Sequence, residues 1–352
     1  MTPQPRADRP ARRLRRVAAA TVLAVGGIGV AVPAAAVDPI ATAGALDVVD
    51  QTTVVSWVDG VERLLVDVRA VGQLESGAQS MLILATPTTP TITEGSREVI
   101  TAVAAASAPE EVVEERWWPD LESFGGSSDE AAAAREAVYP IAPDGIGAYP
   151  AESADSWISW LSERGYQLAD QDVSLIQRYA GAGWAISVVQ VEMPAGTVNG
   201  GPPPIDVSFA SETPVVPMVL ASTGSQSLTY TSYVLAAERM DRSDPLRGNS
   251  TLLFSGPVTA RQYPELSDWL EPFGGSAVLT KSVQTFPSPS RITEDLTFSV
   301  STYGPFDAGT ETKVVDRIIL GLPAGLMLVA GGMLLLAILG IVLSQILQRR
   351  YR

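Results

Sequence analysis

Apolar and polar positions first alternate regularly at Thr53. Thr53-Val54-Val55-Ser56-Trp57-Val58 is β-rich, and Asp59-Gly60 is a preferred two-residue turn. Val61 to Val71 returns with Leu64, Val66 and Val68 on one face and Arg63, Asp67 and Arg69 on the other. This predicts a hairpin, preceded by a loose leader over 37–51. A third strand at Ser80 to Ala85 ends in a turn at Pro87 to Pro90. The period then lengthens. Ser96 is placed to cap a helix running to Ala106, with Arg97 and Glu98 at its start. A second helix is expected over Ala131 to Val138, where Asp129 and Glu130 suit the positive end of a helix dipole. Trp117-Trp118-Pro119 and Gly125-Gly126 mark irregular chain between them. The clearest helical spacing is Trp157, Ile158, Trp160 and Leu161, with Ser153 as cap, Gly165 as stop and Tyr166 packing back. These tryptophans are assigned to the core. Leu175, Ile176 and Tyr179 share one face of a short helix over Ser174 to Tyr179.

Beyond Gly181 and Gly183 the pattern is mostly period two. Strands are expected at Trp184 to Met193, Ile205 to Ala210, Val215 to Ala221, Ser227 to Ala236, Thr251 to Phe254, Ala277 to Phe286 and Asp295 to Tyr303. Asn199 to Pro204 reads as a Gly/Pro loop, Tyr263 to Leu270 as a short helix, and 304–316 as a link to the last apolar run. Strands and helices come without regular alternation, which predicts an α+β fold with a mainly antiparallel sheet and several short helices. One partial echo stands out. Asp120-Leu121-Glu122-Ser123-Phe124-Gly125-Gly126-Ser127 resembles Asp268-Trp269-Leu270-Glu271-Pro272-Phe273-Gly274-Gly275-Ser276 and raises internal duplication.

The two ends read differently from the middle. Arg12, Arg13, Arg15 and Arg16 precede an uncharged run from Val17 to Val32, and Ala34 and Ala36 fit a small-x-small cleavage pattern. A signal peptide over 1–36 is expected. Ile318 to Leu343 is an uncharged stretch of 26 residues, long enough to cross a bilayer with some tilt. Arg349, Arg350 and Arg352 come after it and place that end in the cytoplasm by the positive-inside rule. The organisation expected is a signal peptide over 1–36 and an extracellular domain over 37–316 that is one unit or two split near 145. A transmembrane helix over 317–346 and a basic cytoplasmic tail over 347–352 complete it. Gly321 and Gly325 form a small-xxx-small pair that would suit lateral helix pairing.

Composition narrows the chemistry. The chain has no histidine and no cysteine, which excludes Ser-His-Asp triads, Cys-His dyads and ordinary zinc sites. Six arginines precede residue 17 and three lie beyond the last apolar run, so 15 of the 24 basic residues remain between; only Asp8 of the 39 acidic residues lies in the leader, leaving 38, and the middle carries 15 − 38 = −23. Such a surface repels nucleic acid and anionic headgroups. No phosphate loop and no calcium loop is present. Lys281 and Ser282 are adjacent in an expected strand, so their side chains point to opposite faces and make no dyad. The Glu110-Glu111 and Glu114-Glu115 cluster reads as a solvated helix or loop edge. No catalytic, cofactor-binding or metal-binding residue is assigned, and no cofactor is expected.

Several pieces resemble a bacterial family of exported proteins known as domain of unknown function 2330. They are Val54-Val55-Ser56-Trp57-Val58-Asp59-Gly60-Val61-Glu62-Arg63 and Trp160-Leu161-Ser162-Glu163-Arg164-Gly165-Tyr166, then Tyr179 with Gly183-Trp184. The last is Val207-Ser208-Phe209 through Pro214, Val215, Val216, Pro217 and Met218. The resemblance implies an exported protein and brings no catalytic residues. The functional expectation is a membrane-anchored, non-enzymatic module that binds an envelope protein or polymer. A carboxylate-only hydrolase of envelope glycan, or an accessory subunit of a membrane protein, stands as the alternative. Oligomeric state is left open.

Overall fold

The computed structural model describes residues 40–42, 44–76, 80–118, 137–150, 153–163, 168–307, 309–319 and 322–350. The chain enters through β1 (Ile40–Thr42) and a long hairpin, β2 (Gly44–Val58) and β3 (Val61–Leu74). β4 (Ser80–Thr86), β5 (Thr91–Glu94), helix α1 (Arg97–Ala106), β6 (Glu110–Arg116), β7 (Ala137–Val138) and β8 (Ile141–Tyr149) come next. Helices α2 (Ala154–Glu163) and α3 (Asp170–Gly181) lead into β9 (Ala185–Val191), β10 (Gly196–Gly201), β11 (Ile205–Ala210) and β12 (Val215–Val216). Then come β13 (Leu228–Ala236), β14 (Met240–Arg242), β15 (Thr251–Thr259), the short α4 (Ser267–Leu270), β16 (Ser276–Phe286) and β17 (Leu296–Val300). β18 (Thr310–Asp316), the small pair β19 (Ile318–Ile319) and β20 (Leu322–Pro323), and the apolar helix α5 (Ala324–Arg350) close the chain.

The fold is α+β, and most strand pairs are antiparallel. The Asp59-Gly60 turn takes φ of 51° and 79°, the double left-handed geometry of a tight hairpin turn, which Gly adopts without strain and Asp tolerates. β3 is long enough to carry two partners on its outer edge: β11 along Val61–Val66 and β10 along Ala70–Leu74. On the other side the order runs β3, β2, β13, β16, β15, and β2 with β13 is a parallel pair. A second sheet, ordered β1-β4-β9-β8, stacks on this one. Leu82, Leu84 and Val189 share a core with Val55, Leu64 and Val66 of the large sheet, while Met81, Ile83, Ile186 and Val188 pack beneath Trp157 and Leu161 of α2 and Ile176 and Tyr179 of α3. β4 is therefore buried on both faces along its whole length. The opposite face of the large sheet, with Val54, Leu65, Tyr233 and Leu279, is covered by Val99 and Val103 of α1 and by Leu266, Trp269 and Leu270. Ser96 caps α1 by accepting from the Glu98 amide at 3.1 Å.

Several expectations are corrected. The supposed leader is strand from Gly44 onward, paired with β3 except for a shift of register at Val49. The first half of the expected Gly/Pro loop at 199–204, Asn199 to Gly201, is the end of β10, while 202–204 is loop. A Cβ at Gly200 would stand 1.9 Å from the Ala137 carbonyl and one at Gly201 1.9 Å from that of Val68, so glycine is what lets three backbones meet there. The glutamate-rich 110–116 segment is neither helix nor loop but β6, paired in parallel with β18, which occupies the expected 304–316 link. Val215 to Ala221 is strand for only two residues before a 3-10 turn over Val219–Thr223, because Pro217 has no amide to continue a ladder. The apolar helix begins at Ala324, not Ile318, directly after Pro323, and it runs on through Arg350 since nothing beyond Leu343 breaks it. The helix expected at 131–138 falls mostly outside the described residues, and its described end is β7. Gly165, Tyr166 and the whole 120–127 member of the echo also lie outside the described residues.

Candidate functional site

A buried and a half-buried carboxylate support the segment from Pro214 to Val219. Glu62, on β3 just past the hairpin turn, accepts the Val215 amide with both oxygens at 2.8 and 3.1 Å. Asp295 accepts the amides of Met218 at 2.7 Å and Val219 at 3.0 Å, and also takes the Tyr179 hydroxyl. The segment holds two prolines and cannot complete a strand, so these side chains stand in for the missing sheet partner. Burial raises the Glu62 carboxyl to about 8 against the pull of the Val215 amide, and burial likewise raises Asp295. The Tyr179 hydroxyl is raised too, by burial and by the Asp295 charge. An open cleft of about 820 Å³ lies alongside, lined by Asp295, Glu294, Glu212, Ser211 and Trp184. The hydrogen bonds that Glu62 and Asp295 accept come from the fold itself, mainly from backbone amides.

A second cavity, of about 370 Å³, has the opposite character. Arg239, Arg242 and Arg247 line it together with Asp241. Its floor is hydroxylated by Ser232, Ser250, Thr280 and Ser282, and its wall is made by Val234, Met240, Leu252 and Phe298. The arginines come from one short stretch. β14 delivers Arg242, whose guanidinium forks onto Asp244 through Nε and through Nη2 at 2.7 Å, with both side chains nearly inaccessible to solvent. Asp244 in turn caps the next 3-10 turn through the Leu246 amide at 3.0 Å. Arg239 forks onto Asp241 and donates to the Gly304 carbonyl at 2.8 Å. Arg247 donates Nη1 to the carbonyls of Ser243 and Asp244, each at 3.0 Å, and is otherwise solvent-facing at the rim.

Beneath this cavity the core is polar. Sheet register places Gln51, Tyr230 and Gln284 in one row across β2, β13 and β16, and Thr53, Ser232 and Ser282 in the next row on the same face. All six are buried. Ser232 and Ser282 hydrogen-bond to each other at 2.7 Å, and Gln284 donates to the Leu246 carbonyl at 3.1 Å. Thr53 stands near the Tyr230 hydroxyl, and Arg242 and Asp244 act on that hydroxyl electrostatically, yet neither oxygen completes a hydrogen bond. Of seven buried side-chain atoms without a partner among the described residues, five belong here: Gln51 Oε1, Thr53 Oγ1, Tyr230 OH, Gln284 Oε1 and Arg242 Nη1. Each such group costs about 1–3 kcal/mol. Of these residues Arg242 lines the cavity itself, and the others form the buried polar layer of the sheet behind it.

The residues weighed in the sequence lie elsewhere. Lys281 and Ser282 do face apart: Lys281 lies over Tyr233 at 5.5 Å, while Ser282 is buried in the polar row. Trp157 is core, in contact with Tyr149. No group of three or more metal-capable side chains occurs among the described residues. The Arg239–Arg247 cluster went unassigned, although three arginines in nine residues of an otherwise acidic middle are a legible signal. A family model described as an uncharacterized protein conserved in bacteria (DUF2330) matches residues 32–299. No curated protein and no solved structure matches the chain.

Proposed function

We propose that this chain, which belongs to the uncharacterised bacterial family DUF2330, is a membrane-tethered binding protein whose head takes a small hydroxylated anion in the arginine-lined cavity. The observation that carries the reading is local reversal of charge. A chain of formal net charge −15 gathers three arginines around one cavity floored by hydroxyls. Arg239 and Arg242 are held by Asp241 and Asp244, which leaves Arg247 at the rim as the guanidinium engaged by no carboxylate among the described residues. A guanidinium suits carboxylate and phosphate, and hydroxyl floors suit polyols. An acidic sugar or sugar phosphate, free or as a unit of an envelope polymer, has both features. The proposed organisation is an export signal over 1–36, an outside head over 37–316, a span within 317–346 and an inside tail over 347–352. In support, α5 is long and apolar enough to cross a bilayer, and none of its most apolar window is buried by the rest of the chain. The carboxylate-only hydrolase has the wide cleft in its favour. Its two carboxylates shifted toward protonation, however, are engaged in holding the 215–219 backbone.

Calorimetric titration of the full chain in detergent with glucuronate, glucose 6-phosphate and neutral glucose tests the proposal. The two anions are expected to bind and glucose is not. Arg247→Ala, at the rim, should weaken anion binding about tenfold, or ~1.4 kcal/mol, without unfolding the head. Absence of heat with both anions, or binding untouched by Arg247→Ala, would overturn it.

A further inference from the structure

The first amides of a helix have no partner within it, a heavier cost near a membrane than in water. In α5 two of them are met from outside: Ala324 donates to the Arg317 carbonyl and Gly325 to the Trp117 carbonyl, both at 2.7 Å. Arg317 in turn donates its amide to the Arg116 carbonyl at 2.9 Å. The parallel ribbon of β6 and β18 is thus hydrogen-bonded directly to the first turn of the helix, although its strands lie some two hundred residues apart in sequence. Gly325 has no side chain because there is no room for one: a Cβ would stand 2.6 Å from the Trp118 ring. This glycine of the small-xxx-small pair is therefore occupied within the chain.

Beside the exposed Arg317, large apolar and aromatic side chains stay exposed around this joint. Trp117 is 44% exposed, Trp118 58% and Ile318 65%. On the head side the ribbon turns charged: Arg116 pairs with Asp316, Arg317 sits 3.6 Å from Glu115, and the Arg317 guanidinium covers the Trp117 ring at 4.8 Å. Charge pairs, then indoles, then an uncharged helix is the order in which a bilayer changes from water through headgroups to hydrocarbon.

We propose that Trp117 and Trp118 form an interfacial anchor, seated in the headgroup layer, that fixes the ribbon and the head at a set height on the membrane. Continuity with α5 identifies the occupant of this surface as lipid. The inference rests on α5 spanning the bilayer, and the two are tested separately.

The full chain is reconstituted into phosphatidylcholine vesicles carrying bromines at shallow or deep acyl positions. Flotation with the vesicles after alkaline washing reads the span. Tryptophan fluorescence reads the anchor, comparing the wild type with Trp117→Phe/Trp118→Phe, which keeps apolar bulk and removes two of the seven tryptophans. The expected result is quenching stronger from shallow than from deep bromines, with most of the quenchable signal lost in the variant while the head's melting temperature holds. Flotation together with no quenching, with quenching unchanged in the variant, or with deep bromines dominating, overturns the anchor alone. Failure to float overturns the span, and the anchor with it.

Discussion

Glu62 is fully inaccessible to solvent, and burial raises its carboxyl from 4.5 to about 8. The unfolded chain returns it to the ordinary range. Below about pH 4.5 both states hold the proton and the group has no effect on stability. From there to about pH 8 the unfolded state releases a proton that the folded state keeps, so stability falls as pH rises, at up to about 1.4 kcal/mol per unit. Above that range the full penalty is present. Asp295 is shifted in the same sense and adds to the slope. Glu62→Gln keeps the shape and an oxygen for the Val215 amide but cannot ionise. The variant is expected to match the wild type near pH 5 and to exceed it by a few kcal/mol at pH 8. Melting temperatures of both chains at the two pH values check this, and a parallel pH dependence would count against the assignment. Nothing at position 62 in the sequence announces this. The glutamate sits in a strand of alternating polarity, where a solvated side chain is the natural reading. Its partner, the Val215 amide, comes from 153 residues away, so the burial is made by tertiary structure.

Elements were legible where side chains carry the pattern and illegible where backbones do. The hairpin turn, α1 with its serine cap, and β11, β13 and β16 come directly from alternation, capping and turn chemistry. β10 does not. Its run of Gly-Thr-Val-Asn-Gly-Gly offers almost nothing to bury, and it is a strand because β3 and β7 close on its backbone from either side. The same holds for β6, whose four glutamates are tolerable in an exposed two-stranded ribbon and would not be in the main sheet. Close approach gives β10 a sharp dependence on glycine. Gly201→Ala would press its methyl toward the Val68 carbonyl, and the backbone must move to relieve it. A loss of about 1–3 kcal/mol is expected, the range of overpacked positions. Gly181→Ala, at the end of α3 with nothing within 4 Å of the added methyl, is the control. It should be neutral or stabilising by less than about 1 kcal/mol, since alanine favours helix over glycine. Equal melting temperatures for the two variants would refute this view of β10.

At the scale of the whole molecule, the apolar helix was plain in the sequence because a run of uncharged residues needs no tertiary context. The arginine cavity was not, because it takes β13, β16 and the 239–250 segment together to make one surface. The direction in which the chain crosses a membrane is set by charge. α5 has 27 residues and rises about 1.5 Å per residue, so it is longer than the ~30 Å hydrocarbon layer by roughly a turn or two. The excess falls at Ser344 to Arg350, which holds Gln345, Gln348 and the two arginines, while Ala324 is bound to the ribbon at the other end. Arginines flanking a span are generally retained on the cytoplasmic side, and the proposed orientation, with the acidic head outside, follows from that rule. The absence of cysteine makes this testable without background. Glu265→Cys places a thiol on an exposed turn of the head, and Gln348→Cys places one beside the terminal arginines. In intact cells a membrane-impermeant maleimide is expected to label the first and not the second, and permeabilisation should make both reactive. Labelling of Gln348→Cys alone would invert the orientation, and labelling of both in intact cells would mean that the helix does not cross. In the first case the head would face the cytoplasm and the cavity's ligand would have to be sought inside the cell; in the second the head would still meet the anions of the envelope, but with no span holding it.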